Sequence, residues 1–122
     1  MDRDGFNHGF PPAAWEAAKS EAREIMMKHA KRGAPISYSE LVDQIRSISM
    51  DAHDPRLAHF LGEISRAEDA KGRGMLTAVV VHKHDGFPGQ GFFELAEELG
   101  RTVKDREQFW IEEMRRLENE AQ

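Results

Sequence analysis

The most restrictive feature of this sequence is one uninterrupted apolar run at residues 75–81, which is rich in valine and has glycine-containing turns on both sides. A short run bounded in this way is typical of a buried β-strand. No other segment has a comparable strand pattern, and the edge of a single strand needs a partner. The sequence therefore predicts one long strand, paired with residues 36–38 or with a second chain, in a fold that is otherwise helical.

Five segments have the three- and four-residue apolar spacing of amphipathic helices, and they lie at residues 12–31, 37–50, 55–71, 92–99 and 103–120. Their ends carry the corresponding signals. Pro12 suits a first helical turn, Ser37 and Glu40 have the spacing of a capping box, and Gly100 suits a helix end. Asp54 is expected to cap the third helix.

The chain has 122 residues, which is the size of one domain. We therefore expect a single mainly α (α+β) domain at residues 12–122, preceded by a flexible tail at residues 1–11. No apolar run is long enough to span a membrane, and no basic stretch followed by an apolar one opens the chain. Cysteine is absent, which excludes thiol catalysis and favours a reducing compartment. These features predict a cytoplasmic protein with no membrane partner and no cofactor.

The order of the elements predicts a winged-helix-like domain with flanking N- and C-terminal helices. Two consecutive helices are followed by a strand and a glycine-rich loop at residues 85–91, and the third helix of a winged helix lies in front of such a wing. The loop matches neither the Walker pattern nor the dinucleotide fingerprint, so nucleotide hydrolysis is not expected. Its backbone donors could cradle a phosphate or carboxylate, or it could be a tight turn whose phenylalanines pack on the core.

Residues 36–93 resemble the winged-helix DNA-binding domain of the alkylguanine DNA alkyltransferases and the alkyltransferase-like proteins. That family follows a Thr-Tyr-Gly-x-Ile-Ala helix start with an Ala-Arg-Ala-Val-Gly recognition helix, a Pro-Cys-His-Arg-Val-Val segment and a glycine-rich turn. The comparable stretches here are Ser-Tyr-Ser-Glu-Leu at 37–41, Pro-Arg-Leu-Ala-His-Phe-Leu-Gly at 55–62, Thr-Ala-Val-Val-Val at 77–81 and Asp-Gly at 85–86. The resemblance implies DNA binding, with Arg56 at the position of the arginine that the family inserts into the base stack.

The chain departs from this family at the reactive segment. The nucleophilic cysteine is missing, Thr77 is its nearest counterpart by position, and the proline, histidine and arginine around the cysteine are missing too. Alkyl transfer is therefore excluded. The Pro-Gly-x-Gly-Phe-Phe element at residues 88–93 also resembles an element of small bacterial proteins and of domains beside nucleases.

Several basic side chains are candidates for contact with nucleic acid. The net charge of −5 argues against a broad basic face, because phosphate neutralisation supplies most non-specific affinity, and it leaves local patches as candidates. The candidates lie on the second and third helices, after the third helix and in the wing, and they are Arg46, Arg56, His59, Arg66, Lys71, Arg73 and Lys83. Between residues 54 and 74, four acids balance four basic residues, so solvated helix faces are the alternative explanation.

A second candidate site is a metal centre at the end of the predicted strand. Side chains two apart in a strand project to one face, so His82 and His84 could bind one metal ion, with Asp85 as an oxygen ligand. The alternative is that these polar residues mark the point where the strand reaches solvent.

The last helix carries a wide apolar stripe that includes Phe109, Trp110 and Met114. Tryptophan and methionine are common in the cores of interfaces, so part of this stripe could bind a partner. The alternative is a helix packed against the first one, with Trp15 and Trp110 in a shared core.

Three functions follow from these features. The leading hypothesis is a non-catalytic winged-helix-like module that binds nucleic acid or a protein associated with nucleic acid. The first alternative is a module for protein interaction or homodimerisation. The second is a metal-dependent hydrolase or nuclease that uses His82, His84 and Asp85. No serine or threonine lies in a recognisable nucleophile context, so enzymatic activity is the minority hypothesis.

Overall fold

A computed structural model describes residues 8–122, and these residues form a mainly helical fold, as expected from the sequence. The elements along the chain are α1 (Pro12–Arg32), β1 (Ile36–Ser37), α2 (Tyr38–Gln44), α3 (Arg56–Ala70), a 3₁₀ helix (Leu76–Val79), β2 (Val80–Val81), α4 (Gln90–Glu98) and α5 (Arg106–Glu120). Within the described part of the chain, no helix combines the length and the apolar character needed to cross a bilayer.

The capping signals in the sequence are confirmed. Proline occupies the first turn of α1, which ends at Gly33 with φ of +64°, a left-handed conformation that glycine adopts without strain. Ser37 and Glu40 form the predicted capping box at the start of α2. Asp54 Oδ1 accepts a hydrogen bond from the Arg56 N–H at 2.9 Å and so satisfies a free donor at the start of α3.

The prediction of a long strand at residues 75–81 is wrong. Residues 76–79 form a 3₁₀ helix, and only Val80 and Val81 are extended. All seven residues are buried, and the segment packs against α1, α3 and α5. Because helices surround the segment, it can bury its side chains on every side without a ladder of neighbouring strands, and a continuous apolar run does not distinguish these two situations.

The predicted pairing of residues 36–38 with the apolar run is confirmed in shorter form. Ile36 lies opposite Val80 and Ser37 lies opposite Val81, in parallel orientation. These four residues are the whole of the sheet within residues 8–122. The chain after β2 closes into a tight turn, in which the N–H of Gly86 donates to the carbonyl of His82 at 2.8 Å.

The second helix is shorter than its apolar pattern predicts, because it ends at Gln44 instead of near residue 50. Ile45 and Ile48 are buried, but they lie in an irregular connection between α2 and α3. The carboxylate of Glu21, on α1, accepts hydrogen bonds from the backbone N–H groups of Arg46 and Ser47 and from the Ser47 hydroxyl. This contact with α1 replaces the helical hydrogen bonds that the sequence pattern predicts.

The core lies between α1, α3 and the 3₁₀ helix. The face of α1 that points inward is mostly alanine, with Ala18, Ala22 and Ala30 at most 1% exposed, so the 3₁₀ helix can approach it closely. Trp15 fills the end of this core and packs edge-on against Phe60, with ring centroids 5.2 Å apart.

Residues 8–10, at the end of the predicted flexible tail, pack on this core, whereas residues 1–7 of that tail lie outside the described residues. The ring of Phe10 stacks on Trp15 at 5.8 Å, and the ring of His8 lies 5.0 Å from His59. The guanidinium of Arg56 lies 4.4 Å above the Phe10 ring.

Two buried carboxylates hold the chain that enters the 3₁₀ helix. Glu68, on α3, accepts hydrogen bonds from Arg23 Nε at 2.9 Å and from Arg73 Nε at 2.8 Å. Glu113, on α5, accepts a hydrogen bond from the Met75 N–H at 2.7 Å. Burial opposes ionisation of Glu68, but the hydrogen bonds from the two arginines outweigh it and lower its pKa. Both carboxylates are therefore accounted for by the fold.

Candidate functional site

A groove of about 820 Å³ lies between α3, α4 and the turn that follows β2. Its volume is in the range of about 300–1,000 Å³ that is usual for binding sites. Its apolar surface comes from two helices, with Leu57 and Leu61 on α3 and Phe92 and Leu95 on α4. The start of α2 and residues 52–54 complete the walls.

Small residues keep the groove open. Ala58 and Gly62 lie on the α3 side and Gly91 lies on the α4 side. A Cβ atom at Gly62 or Gly91 would meet no atom of residues 8–122 within 4 Å outside its own helix. Glycine in a helix interior costs about 1 kcal/mol relative to alanine, and neither backbone strain nor packing within the chain requires Gly62. The space beside Gly62 is therefore an unfilled feature of this surface.

Tyr38 and His82 fix the end of the groove where α4 begins. Their ring centroids are 4.9 Å apart, and the N–H of Gly89 donates to the Tyr38 hydroxyl at 3.2 Å. A Cβ at Gly89 would lie 3.1 Å from both Tyr38 Oη and His82 Nε2, so a larger residue here would require these side chains to shift by a few tenths of an ångström. Burial raises the pKa of Tyr38, which keeps its hydroxyl neutral and able to donate a hydrogen bond.

The charged groups of the groove differ from one end to the other. Lys83 is exposed at the end where α4 begins, and it forms no ion pair with another described residue. Glu94 and Glu98 are exposed further along α4. Within residues 8–122, Glu94 accepts a side-chain hydrogen bond only from the neutral side chain of Gln90, at 2.8 Å. Glu98 pairs with Arg66 at 2.6 Å.

The acids on the α3 side are neutralised within the chain. Asp54 is bound by both Nε and Nη2 of Arg56, at 3.0 and 2.6 Å, and the Arg56 guanidinium holds the pKa of Asp54 at about 2. Glu63 accepts hydrogen bonds from Trp15 Nε1 at 2.8 Å and from Lys19 Nζ at 2.9 Å. Burial opposes ionisation of Glu63, but these hydrogen bonds lower its pKa.

The structure divides the seven basic candidates into two groups. Arg56, Arg66 and Arg73 are each bound to a carboxylate, namely Asp54, Glu98 and Glu68. The other four are exposed. Arg46 lies in the connection after α2 instead of on a helix, and His59 lies beside His8. Lys71 follows α3, and Lys83 lies in the turn after β2. Of the seven, His59, Arg66 and Lys83 line the groove.

The three metal candidates do not lie on a strand. The strand ends at Val81, and His82, His84 and Asp85 belong to the turn that follows it. The rings of His82 and His84 have centroids 5.3 Å apart, and His84 Nε2 lies 3.4 Å from Asp85 Oδ2. Within residues 8–122, no cluster of three or more histidine, aspartate or glutamate side chains is arranged to hold a metal ion.

The three interface candidates on α5 contact the core. Trp110 Nε1 donates to the carbonyl of Ala78 at 2.8 Å, and its ring packs edge-on against Phe87 at 5.5 Å. Phe109 lies 6.0 Å from Phe92, and Met114 is half-buried against the core. Trp15 lies in the same continuous core, as one sequence-based alternative predicts.

No sequence pattern indicates the groove, although five of the site candidates named from the sequence line it, namely His59, Arg66, His82, Lys83 and His84. The leucines of α3 and the Phe92–Leu95 pair of α4 are ordinary helix-face residues, and only their tertiary placement opposite one another forms a site. Gly62 was the available signal, because a glycine in the middle of an otherwise regular helix needs an explanation. Comparison with known proteins gives no match to a family model, a curated protein or a solved structure.

Proposed function

We propose that this chain is a non-catalytic protein-interaction module, and that the groove between α3 and α4 binds a segment of another protein. The observation that carries the proposal is the groove of about 820 Å³, whose lining includes Leu61 of α3, Leu95 of α4 and Gly62, a helical glycine beside which the described residues leave open space. Apolar side chains from a partner would gain about 25 cal/mol for each Å² of apolar surface that they bury there.

The polar groups around the groove also favour binding over catalysis. The carboxylates of Asp54 and Glu63 are held ionised by Arg56 and Lys19 and are not poised to exchange protons near neutral pH. A polar, solvent-accessible rim around an apolar centre is the usual anatomy of a protein interface.

Selection from a random peptide library displayed on phage tests this proposal. We expect peptides that share two or three apolar residues, and we expect their affinity to fall by at least about tenfold when Gly62→Trp fills the groove. Gly62→Ala is the matched control, because a methyl group fits the open space. If no peptide is enriched, or if enriched peptides bind wild type and Gly62→Trp equally, the proposal is wrong.

A second candidate function is the winged-helix-like nucleic-acid binder. It is supported by the order α2, α3, β2 and turn, and by Arg46, Lys71 and Lys83, which are exposed and form no ion pair with another described residue. Its weakness is that Arg56, Arg66 and Arg73 already have carboxylate partners. Titration with duplex DNA, single-stranded DNA and RNA across a salt series tests it, since phosphate binding weakens steeply with salt. Such binding, lost in Arg46→Glu and Lys83→Glu, would place this function first.

A further inference from the structure

Resting on the proposed function, we infer that the partner segment is an amphipathic α-helix with opposite charges at its two ends. Its apolar face would lie in the groove, its acidic end would lie beside Lys83, and its basic end would lie beside Glu94 and Glu98.

The first step is that a helix fits this surface better than an extended strand does. A strand would have to add to a sheet edge, but β1 and β2 are two residues long and all four of their residues are buried. Ala58, Gly62 and Gly91 line the groove with small side chains, and small residues allow another helix backbone to approach closely. A helix then places apolar side chains at i, i+3 or i+4, and i+7 along one face.

The second step is the separation of charge along the groove. Asp54 and Glu63 are neutralised by Arg56 and Lys19. The exposed charges of the groove are then Lys83 at one end, whose charge also acts on Glu40, and Glu94 and the Arg66–Glu98 pair further along. Glu98 does bind Arg66, but both side chains are more than half exposed, and an exposed pair of this kind is weak. An acidic group at the Lys83 end and a basic group at the Glu98 end would complement this pattern.

The third step is length. From Gly91 to Glu98 the wall of α4 is about 10 Å long at 1.5 Å per residue. A partner helix of about 14 residues, or four turns, is about 21 Å long, so it would cover this wall and extend about one turn beyond each of its ends.

Four synthetic peptides of about 14 residues test the inference by fluorescence anisotropy. The first three carry leucines at the same helical spacing. In the first peptide, glutamates occupy one half and lysines the other, and in the second the same residues alternate. The third is the first peptide with a central proline that interrupts its helix. The fourth is the first peptide with its leucines moved to scrambled positions. We expect the first to bind at least about fivefold more tightly than the second at low salt, and this advantage to disappear near 1 M salt, where the Debye length is about 3 Å. The third and fourth are expected to bind much more weakly, because one cannot form the helix and the other cannot present an apolar face.

Two protein variants locate the charged contact. Lys83→Glu is expected to remove the preference for the first peptide, because both ends of the groove are then acidic. Lys71→Glu makes the same change of charge after α3, outside the groove, and is expected to keep the preference. Thermal unfolding checks that both variants are folded.

The possible results separate the two proposals. Equal binding of the first two peptides, or a preference that survives Lys83→Glu, would overturn the charge pattern and leave the groove as a binding site. Undiminished binding of the proline peptide would overturn the helix. If these peptides do not bind while the phage selection yields non-helical peptides that need the groove, the inference fails alone. If neither approach yields a ligand, the proposed function fails with it.

Discussion

The two faces of α3 differ in how their polar side chains are bound and in how closely other elements pack against them. One face carries Glu68, whose side chain is 4% exposed and is bound by two arginines from other segments. The other face carries Gly62 and Arg66, where space is unfilled and the one ion pair, with Glu98, is more than half exposed. Polar groups on the first face are explained by the fold. The described contacts do not account for the composition of the second face, which we propose binds a partner.

This contrast also shows that a short distance between charged atoms does not measure stability. The Arg66–Glu98 pair, at 2.6 Å, is shorter than either contact of Glu68 Oε atoms with an arginine Nε. Water screens the first pair on most sides, whereas loss of Glu68 would leave two guanidinium groups beside a buried site without their carboxylate.

The largest expected effect is therefore on the buried face. We expect Glu68→Gln to lower the free energy of unfolding by about 2 to 3 kcal/mol, because it weakens hydrogen bonds from charged groups at a buried site. Glu98→Gln is the matched control on the groove face and should change it by less than about 0.5 kcal/mol. Urea unfolding of both variants measures the difference. Equal losses would remove the contrast between the faces.

The contribution of Glu68 should also depend on pH. Its pKa in the folded protein is lowered from 4.5, so its stabilisation is fully present above pH 4.5 and is lost as pH falls through the folded-state value. Wild type should therefore lose stability in acid more steeply than Glu68→Gln, and the two unfolding midpoints should converge. If the unfolding midpoints of wild type and Glu68→Gln change with pH in parallel, Glu68 does not contribute the expected loss of stability in acid.

Removing the second buried carboxylate tests the link between α5 and the 3₁₀ helix. Glu113→Ala leaves the N–H of Met75 without its acceptor and removes a partner of Arg101, which lies 2.9 Å away. We expect a loss of about 2 kcal/mol, the usual cost of an unsatisfied buried donor. Faster hydrogen exchange at Met75 would confirm the cause, and unchanged exchange there would contradict it.

A substitution on the groove face, at Gly62, should raise the free energy of unfolding instead of lowering it. Gly62→Ala is expected to stabilise the protein by about 0.8 to 1.0 kcal/mol, because alanine has the higher helix propensity and its methyl group would meet no described atom outside α3 within 4 Å. Thermal unfolding measures this gain. A destabilising effect would mean that the position is constrained by the fold, and the unfilled space would then need another explanation.

The smallest expected effect on stability is at Lys83. Lys83→Glu changes an exposed side chain without an ion pair among the described residues, so the free energy of unfolding should stay within about 0.5 kcal/mol of wild type. A large loss in urea unfolding would assign Lys83 a structural role and weaken its use as evidence for a partner.

Local signals made much of this fold predictable. The capping box at Ser37 and Glu40 and the glycine at the end of α1 depend only on nearby residues, and both are found where the sequence places them. The strand prediction at residues 75–81 is wrong because a continuous apolar run indicates that a segment is buried and does not indicate its backbone conformation. Helices from distant parts of the chain decide its conformation.

The candidate site was less predictable than the fold. His82 and Lys83 stood out because of their chemistry, but their placement on a strand was wrong, since the turn closed by Gly86 begins at His82. The groove depends on how α3 and α4 diverge, which no local pattern encodes. Gly62 is the sequence position that best indicates the groove. Glycine lowers the helix propensity of α3 there, and no contact among the described residues explains its presence.

The most direct test of the helix-binding groove compares the first peptide, with its glutamates and lysines in separate halves, on two variants at one position. Gly62→Ala and Gly62→Trp both remove the glycine, and only the second fills the groove. Anisotropy titration should give wild-type affinity for Gly62→Ala and at least about tenfold weaker binding for Gly62→Trp, with both variants folded by circular dichroism. Equal affinity for the two folded variants would contradict the assignment of this groove as the binding site.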